Sequence, residues 1–168
     1  MRRAFVVPAA LALSLAACGS SKDEYVAYCP EPFTVQDAER LTHFKDGPGR
    51  DPRDIAYEAV LTDARSGCKA SRRGIDVTLV MRISAVAGPS VSPGTTRVPY
   101  FVRVLDASGA VVQGQDFAAD FRLSGGSPRG ASREELSLFL PHGGNYRIAV
   151  GLKPTPEELN YNRRSTGR

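Results

Sequence analysis

Ile75, Val77, Leu79, Met81 and Ile83 alternate with Asp76, Thr78, Arg82 and Ser84. Side chains two apart share one face of a strand, so this run predicts a strand buried on one side and wet on the other. Antiparallel sheets show that pattern, and a second sheet must cover the apolar face. Period two begins at Asp54 with Ile55, Tyr57, Ala59 and Leu61 and is predicted to stop at Arg65-Ser66-Gly67. It returns in Val98, Tyr100, Val102 and Val104, in Val111-Val112, in Phe117, Ala119, Phe121 and Leu123, in Leu136, Leu138 and Leu140, and in Tyr146, Ile148, Val150 and Leu152. Gly114 reads as a bulge or break between two of these runs. Asp106-Ala107-Ser108-Gly109 reads as a hairpin turn, and the Gly/Pro/Ser stretches 88–94 and 124–132 as loops. The expectation is an all-β sandwich of about seven strands over residues 54–153.

The flanks read differently. Residues 18–53 lack sustained periodicity and are predicted to be irregular, with one helical turn in Val35–Phe44 presenting Ala38, Leu41 and Phe44. At the other end Thr155-Pro156-Glu157-Glu158 forms a capping box ahead of a short helix. That helix is too short to stand alone, so Leu159 or Tyr161 is predicted to dock on the sandwich. A basic tail completes residues 154–168.

The first 17 residues carry Arg2 and Arg3, an apolar run from Ala4 to Leu15, then small residues before Cys18. The run is shorter than the roughly 20 residues a membrane span needs and has signal-peptide proportions. Leu15-Ala16-Ala17-Cys18 resembles the lipobox of bacterial lipoproteins. That resemblance implies diacylglycerol on the Cys18 sulfur, acyl lipid as the only attached group, cleavage before Cys18, and a membrane held through acyl chains. Gly19 rather than Asp follows the cysteine, which favours the outer membrane, facing the periplasm. Arg2-Arg3-Ala4-Phe5 also resembles part of a twin-arginine signal, but the polar residue before the arginines is missing, which favours the general secretory route. The alternative is an ordinary secretory leader cut near Ala17, although no plain A-x-A site is better placed.

Without the leader 151 of the 168 residues remain, enough for one domain with a core. The leader holds two of the 22 basic residues and no acidic one, so against 18 acids the mature chain is about +2. No basic stripe or motif points to nucleic acid. With Cys18 acylated, Cys29 and Cys68 remain, and two thiols in an oxidising compartment most simply pair. Neither lies in a C-x-x-C motif, and His43 and His142 lack ligand spacing, so no metal site is expected.

The stretch Leu140-Pro141-His142-Gly143-Gly144-Asn145-Tyr146 resembles the E–F corner of immunoglobulin and fibronectin type III sandwiches. There a tyrosine hydroxyl bonds back to backbone while the ring packs in the core. The lipobox, the two later cysteines and the ending Thr-Pro-Glu-Glu-Leu-Asn-Tyr-Asn-Arg are together similar to uncharacterised lipoproteins of alphaproteobacteria. That resemblance implies no activity.

No catalytic residue emerges. Neither histidine sits in a nucleophile motif, and Glu134-Glu135 and Glu157-Glu158 read as solvated or capping acids. Arg163, Arg164 and Arg168 in the tail and Arg72 and Arg73 in a hairpin are candidate contacts for anionic lipid or cell-wall polymer, or simply a solubilising surface. An open sheet edge is a candidate site for strand addition by an envelope protein. The sequence therefore points to a non-enzymatic, lipid-anchored interaction or structural module of the envelope. A periplasmic carrier or chaperone-like binder of a small ligand or unfolded chain is the alternative.

Overall fold

The computed structural model describes residues 28–165. The leader, Cys18, the tether Ser20–Asp23 and Arg168 lie outside the described residues. The strands are β1 Pro32–Thr34, β2 Arg40–Phe44, β3 Ile55–Ser71, β4 Gly74–Ala87, β5 Gly94–Leu105, β6 Val111–Leu123, β7 Arg129–Pro141 and β8 Arg147–Leu152, followed by helix α1 Pro156–Ser165. They form two four-stranded sheets, ordered β1-β8-β5-β6 and β2-β3-β4-β7.

The alternating rows close the space between the sheets. Val77, Leu79, Met81 and Ile83 of β4 face Val98, Tyr100, Val102 and Val104 of β5, with Ala119, Phe121 and Leu123 of β6 and Ile148, Val150 and Leu152 of β8 completing the core. Leu136 and Leu138 of β7 are only half-buried, because β7 is an edge strand.

The pairings from β3 to β8 reproduce the Greek key of the immunoglobulin and fibronectin type III sandwiches. Strands β3, β4 and β7 stand where A, B and E stand, and β6, β5 and β8 where C′, C and F stand. The chain departs from that plan after β8. Among the described residues no strand follows it as G does; the chain turns into α1, and the place beside β8 is taken by β1 from the other end of the domain. Strand β1 runs parallel to β8, with Pro32 opposite Ile148 and Thr34 opposite Val150. Two further backbone bonds, Val35 N–H to the Val150 carbonyl and Leu152 N–H to the Ala38 carbonyl, extend the pairing along β8.

Both N-terminal strands fall in the segment expected to be irregular, and β2 replaces the expected helical turn. The reason is burial on two sides. Leu41 belongs to the core, whereas Phe44 meets the Tyr161 ring of α1 edge-on at 4.9 Å. A strand covered on both faces loses the polar half of its alternation. Asn162 Nδ2 donates to the Arg40 carbonyl at 3.1 Å, so α1 occupies part of the outer edge of β2.

Strand β3 also runs beyond the expected stop at Gly67. It is 17 residues long, and its register against β4 shifts between Leu61 and Asp63, leaving Thr62 as an extra residue. One inserted residue turns every later side chain to the opposite face. Before the bulge Tyr57, Ala59 and Leu61 point inward; after it Ala64 and Cys68 do. The bulge therefore aims Cys68 at the interior.

Gly114 neither breaks nor bulges β6. It lies opposite Arg103, where an added Cβ would sit 2.8 Å from Arg103 Cδ, and the bulge falls beside Val112. The turn before β6 matches expectation: Gly109 has φ +85°, and the Asp106 carboxylate accepts from the N–H groups of Ser108 and Ala110.

Candidate functional site

Three places carry the residues singled out by their chemistry. The first is the end of the sandwich where the chain enters. Strand β1 starts there, beside the β7–β8 loop, the β5–β6 turn and the β3–β4 hairpin tip. Cys29 and Cys68 are joined, with Cα atoms 5.6 Å apart. Ser66 Oγ donates to the Pro30 carbonyl at 2.7 Å, and the Arg147 guanidinium lies 4.5 Å from the centroid of the Phe33 ring. Three anchors thus hold the strand that stands in the G position.

The second is the set of arginines. Arg72 and Arg73 form the tip of the β3–β4 hairpin, both exposed. Arg163 and Arg164 lie in the last turn of α1, with Arg163 Nε on Asp37 Oδ2 at 3.0 Å. Next to them Asn162 holds Arg40, which pairs with Val60. Val60 is eleven residues before Ser71 on β3, about 36 Å at strand rise. The four candidate arginines among the described residues therefore do not make one patch.

The third is a cleft of about 510 Å³ between β2, the β4–β5 loop and the start of α1. His43, Tyr57 and Glu158 line it. Glu158, expected to be a solvated cap, is buried. Its two oxygens serve two partners. Oε2 accepts from the Thr155 N–H at 2.7 Å and closes the capping box, while Oε1 accepts from His43 Nδ1 at 2.7 Å. Glu158 and Asn162, one turn apart, are the buried residues of α1, so the helix docks through polar contacts, with Leu159 and Tyr161 only half-buried. Burial alone pushes the Glu158 carboxyl up. The His43 bond, the Thr155 N–H and the His43 charge together outweigh it and hold the pKa below the ordinary glutamate value. The Tyr57 ring lies 4.8 Å from that of His43, and its hydroxyl donates to the Arg97 carbonyl at 2.9 Å. Burial, with the Glu158 charge, raises the Tyr57 phenol well above its usual value.

A histidine oriented by a buried carboxylate is half of a nucleophile-activating relay. The other half is missing here: among the described residues no Ser, Thr or Cys hydrogen-bonds to His43. The pair acts as a clasp between α1 and β2. Because the folded pKa of Glu158 lies below its unfolded value, the clasp contributes stability above about pH 4.3 and loses it as pH falls through the folded pKa. Glu158→Gln is expected to lower unfolding free energy by about 2 kcal/mol at neutral pH. It should also flatten the acid limb of the stability curve, measured by urea denaturation across pH 3–7.

Glu134 is not a plain solvated acid either. It points between the sheets, accepting from the Tyr100 hydroxyl at 3.0 Å and from Ser132 Oγ, whereas Glu135 points outward to Arg133. Tyr146 keeps its ring against the core and over Gly144, but its hydroxyl makes no hydrogen bond among the described residues. The corner bond expected from the E–F resemblance is absent. His142 Nε2 meets the Ser71 carbonyl at 2.6 Å and ties the corner loop to the arginine hairpin.

Among the described residues no group of three or more His, Cys, Asp or Glu is placed to hold a metal ion, and no helix is long and apolar enough to cross a membrane. No protein-family model, curated protein or solved structure matches the chain.

Proposed function

We propose that this chain is a lipid-anchored envelope lipoprotein whose sandwich is a non-catalytic interaction module, facing the periplasm from the outer membrane. The observation that carries this reading is a filled interior combined with open strand edges. Leu79, Ile83, Val98, Leu140, Ile148, Val150 and Leu152 are wholly buried between the sheets. Among the described residues strands β6 and β7, each 13 residues long, pair through backbone on one side only, with β5 and β4 respectively, and a side-chain bond from Gln113 to the Phe139 carbonyl crosses between them near one end. Their unpaired backbone groups are a template for an extended segment of a partner. The edges of β1 and β2 are less suitable, since β1 is three residues long and α1 occupies part of β2.

The partner in this reading is an envelope protein. A photo-crosslinking amino acid at Ala118 of β6 or Ala131 of β7, both exposed, is expected to give one discrete adduct in cells. The same residue at Thr78, on the outer face of the central strand β4, is expected to give none. Equal labelling at all three positions counts against strand addition.

A carrier is the second reading, and the cleft at His43 and Tyr57 favours it. Native mass spectrometry of protein extracted from membranes decides between them: a bound small molecule lost on substituting Tyr57→Ala supports the carrier.

A further inference from the structure

We propose that the end of the sandwich where the chain enters is itself a membrane-contacting surface, seated on a leaflet that contains anionic phospholipid. This rests on the lipid-anchored reading and adds an orientation to it.

Of the five large apolar side chains exposed among the described residues, four belong to this end. They are Tyr28, Val111, Val112 and Phe139; the fifth, Val86, lies at the far end beside Arg129. Three separate elements supply the four, so their gathering is a product of the fold. Tyr28 adjoins the disulfide, Val111 and Val112 open β6, and Phe139 lies on the outer face of β7 near its end. Gln113 Nε2 donates to the Phe139 carbonyl at 2.9 Å, tying the last two together. The Phe139 ring lies over Gly74, where an added Cβ would stand 2.8 Å from it, and so beside Arg73.

The charge suits an anionic surface. Lys69, Arg72 and Arg73 are exposed at the same hairpin. The acids near them are Glu31, Asp76 and Asp106, and Asp106 is engaged by Ser108 and Ala110 in its own turn. Apolar side chains with basic ones beside them suit an interfacial surface.

Covalent reach supplies the third argument. Cys18 and Tyr28 are ten residues apart, a span of at most about 36 Å. Strand β3 alone runs 17 residues, about 56 Å. An acylated Cys18 therefore keeps this end near the bilayer whatever the far end does.

The test uses the full mature chain in vesicles, with one fluorophore on A107C, in the β5–β6 turn, or on G125C, in the exposed loop at the opposite end. With lipid-phase quencher in phosphatidylglycerol-containing vesicles, the label at 107 is expected to be quenched at least about fivefold more than the label at 125. The contrast should shrink in neutral vesicles and with R72Q/R73Q, and shrink further, to what the tether alone leaves, with V111S/V112S/F139S while circular dichroism is unchanged; a contrast undiminished by all three overturns the contact. Equal quenching at both ends, with Cys18 acylated by mass, overturns the orientation alone. An unmodified Cys18 overturns the anchored reading and takes this inference with it.

Discussion

Replacing Cys29 and Cys68 together with alanine is expected to lower the unfolding free energy by about 4 kcal/mol, the chain-entropy value for a closed loop of about 40 residues. The bonded cysteines are 39 residues apart in sequence. Small domains are stable by only about 5–15 kcal/mol, so the loss is a large fraction of the total. The structure adds a location to the number. The crosslink fixes the residue three places before β1, and β1 pairs only three residues with β8. Once the bridge is gone, the Ser66–Pro30 bond and the Arg147–Phe33 stack hold the strand. Fraying should therefore start there. The Val35 amide, bonded to the Val150 carbonyl, is expected to lose hydrogen-exchange protection before the amides between β4 and β7 do. Urea denaturation and exchange of oxidised and double-alanine protein measure both effects. A change below about 1 kcal/mol, with Val35 still protected, contradicts this role for the bridge.

Leu79→Ala is expected to cost about 3–4 kcal/mol, whereas Leu136→Ala should cost less than half as much. The two leucines are register partners on β4 and β7 and face the same way. They differ in what covers them. Leu79 lies on a central strand and is wholly buried, so truncation leaves a cavity that its neighbours cannot close. Leu136 lies on the edge strand and is half-buried, so water and neighbouring side chains fill the space. Comparable losses at both sites, read from denaturation midpoints, contradict the assignment of β7 as an open edge.

Residues that report one environment each made the core legible. Strand β4 alternates from Ile75 to Ile83 with the single exception of Val80, because one face is wet and the other dry; β5 keeps the inward row Val98, Tyr100, Val102 and Val104 but carries Pro99 and Phe101 on its other face. Strand β2 was not legible, because α1 covers the face that should have read as polar. The bulge at Thr62 hid the second half of β3: read without it, Cys68 falls on the solvent side, yet the residue pairs with Cys29. Strand β1 is too short to show any period. The capping box at Thr155 marked the start of α1 correctly, since that signal is local. How the helix docks is not local, for His43 and Glu158 are 115 residues apart. Residue type says nothing of position. The arginines formed one candidate group by type, while the strand register sets the hairpin pair and the helical pair far apart.

The reading as a whole depends on what is attached to Cys18, and intact-mass analysis of protein taken from membranes of its native host tests that most directly. The account predicts a chain that begins at Cys18 and carries a diacylglyceryl group, with two hydrogens missing for the Cys29–Cys68 bridge. A chain that still holds the leader, or one with a free Cys18 thiol, contradicts it.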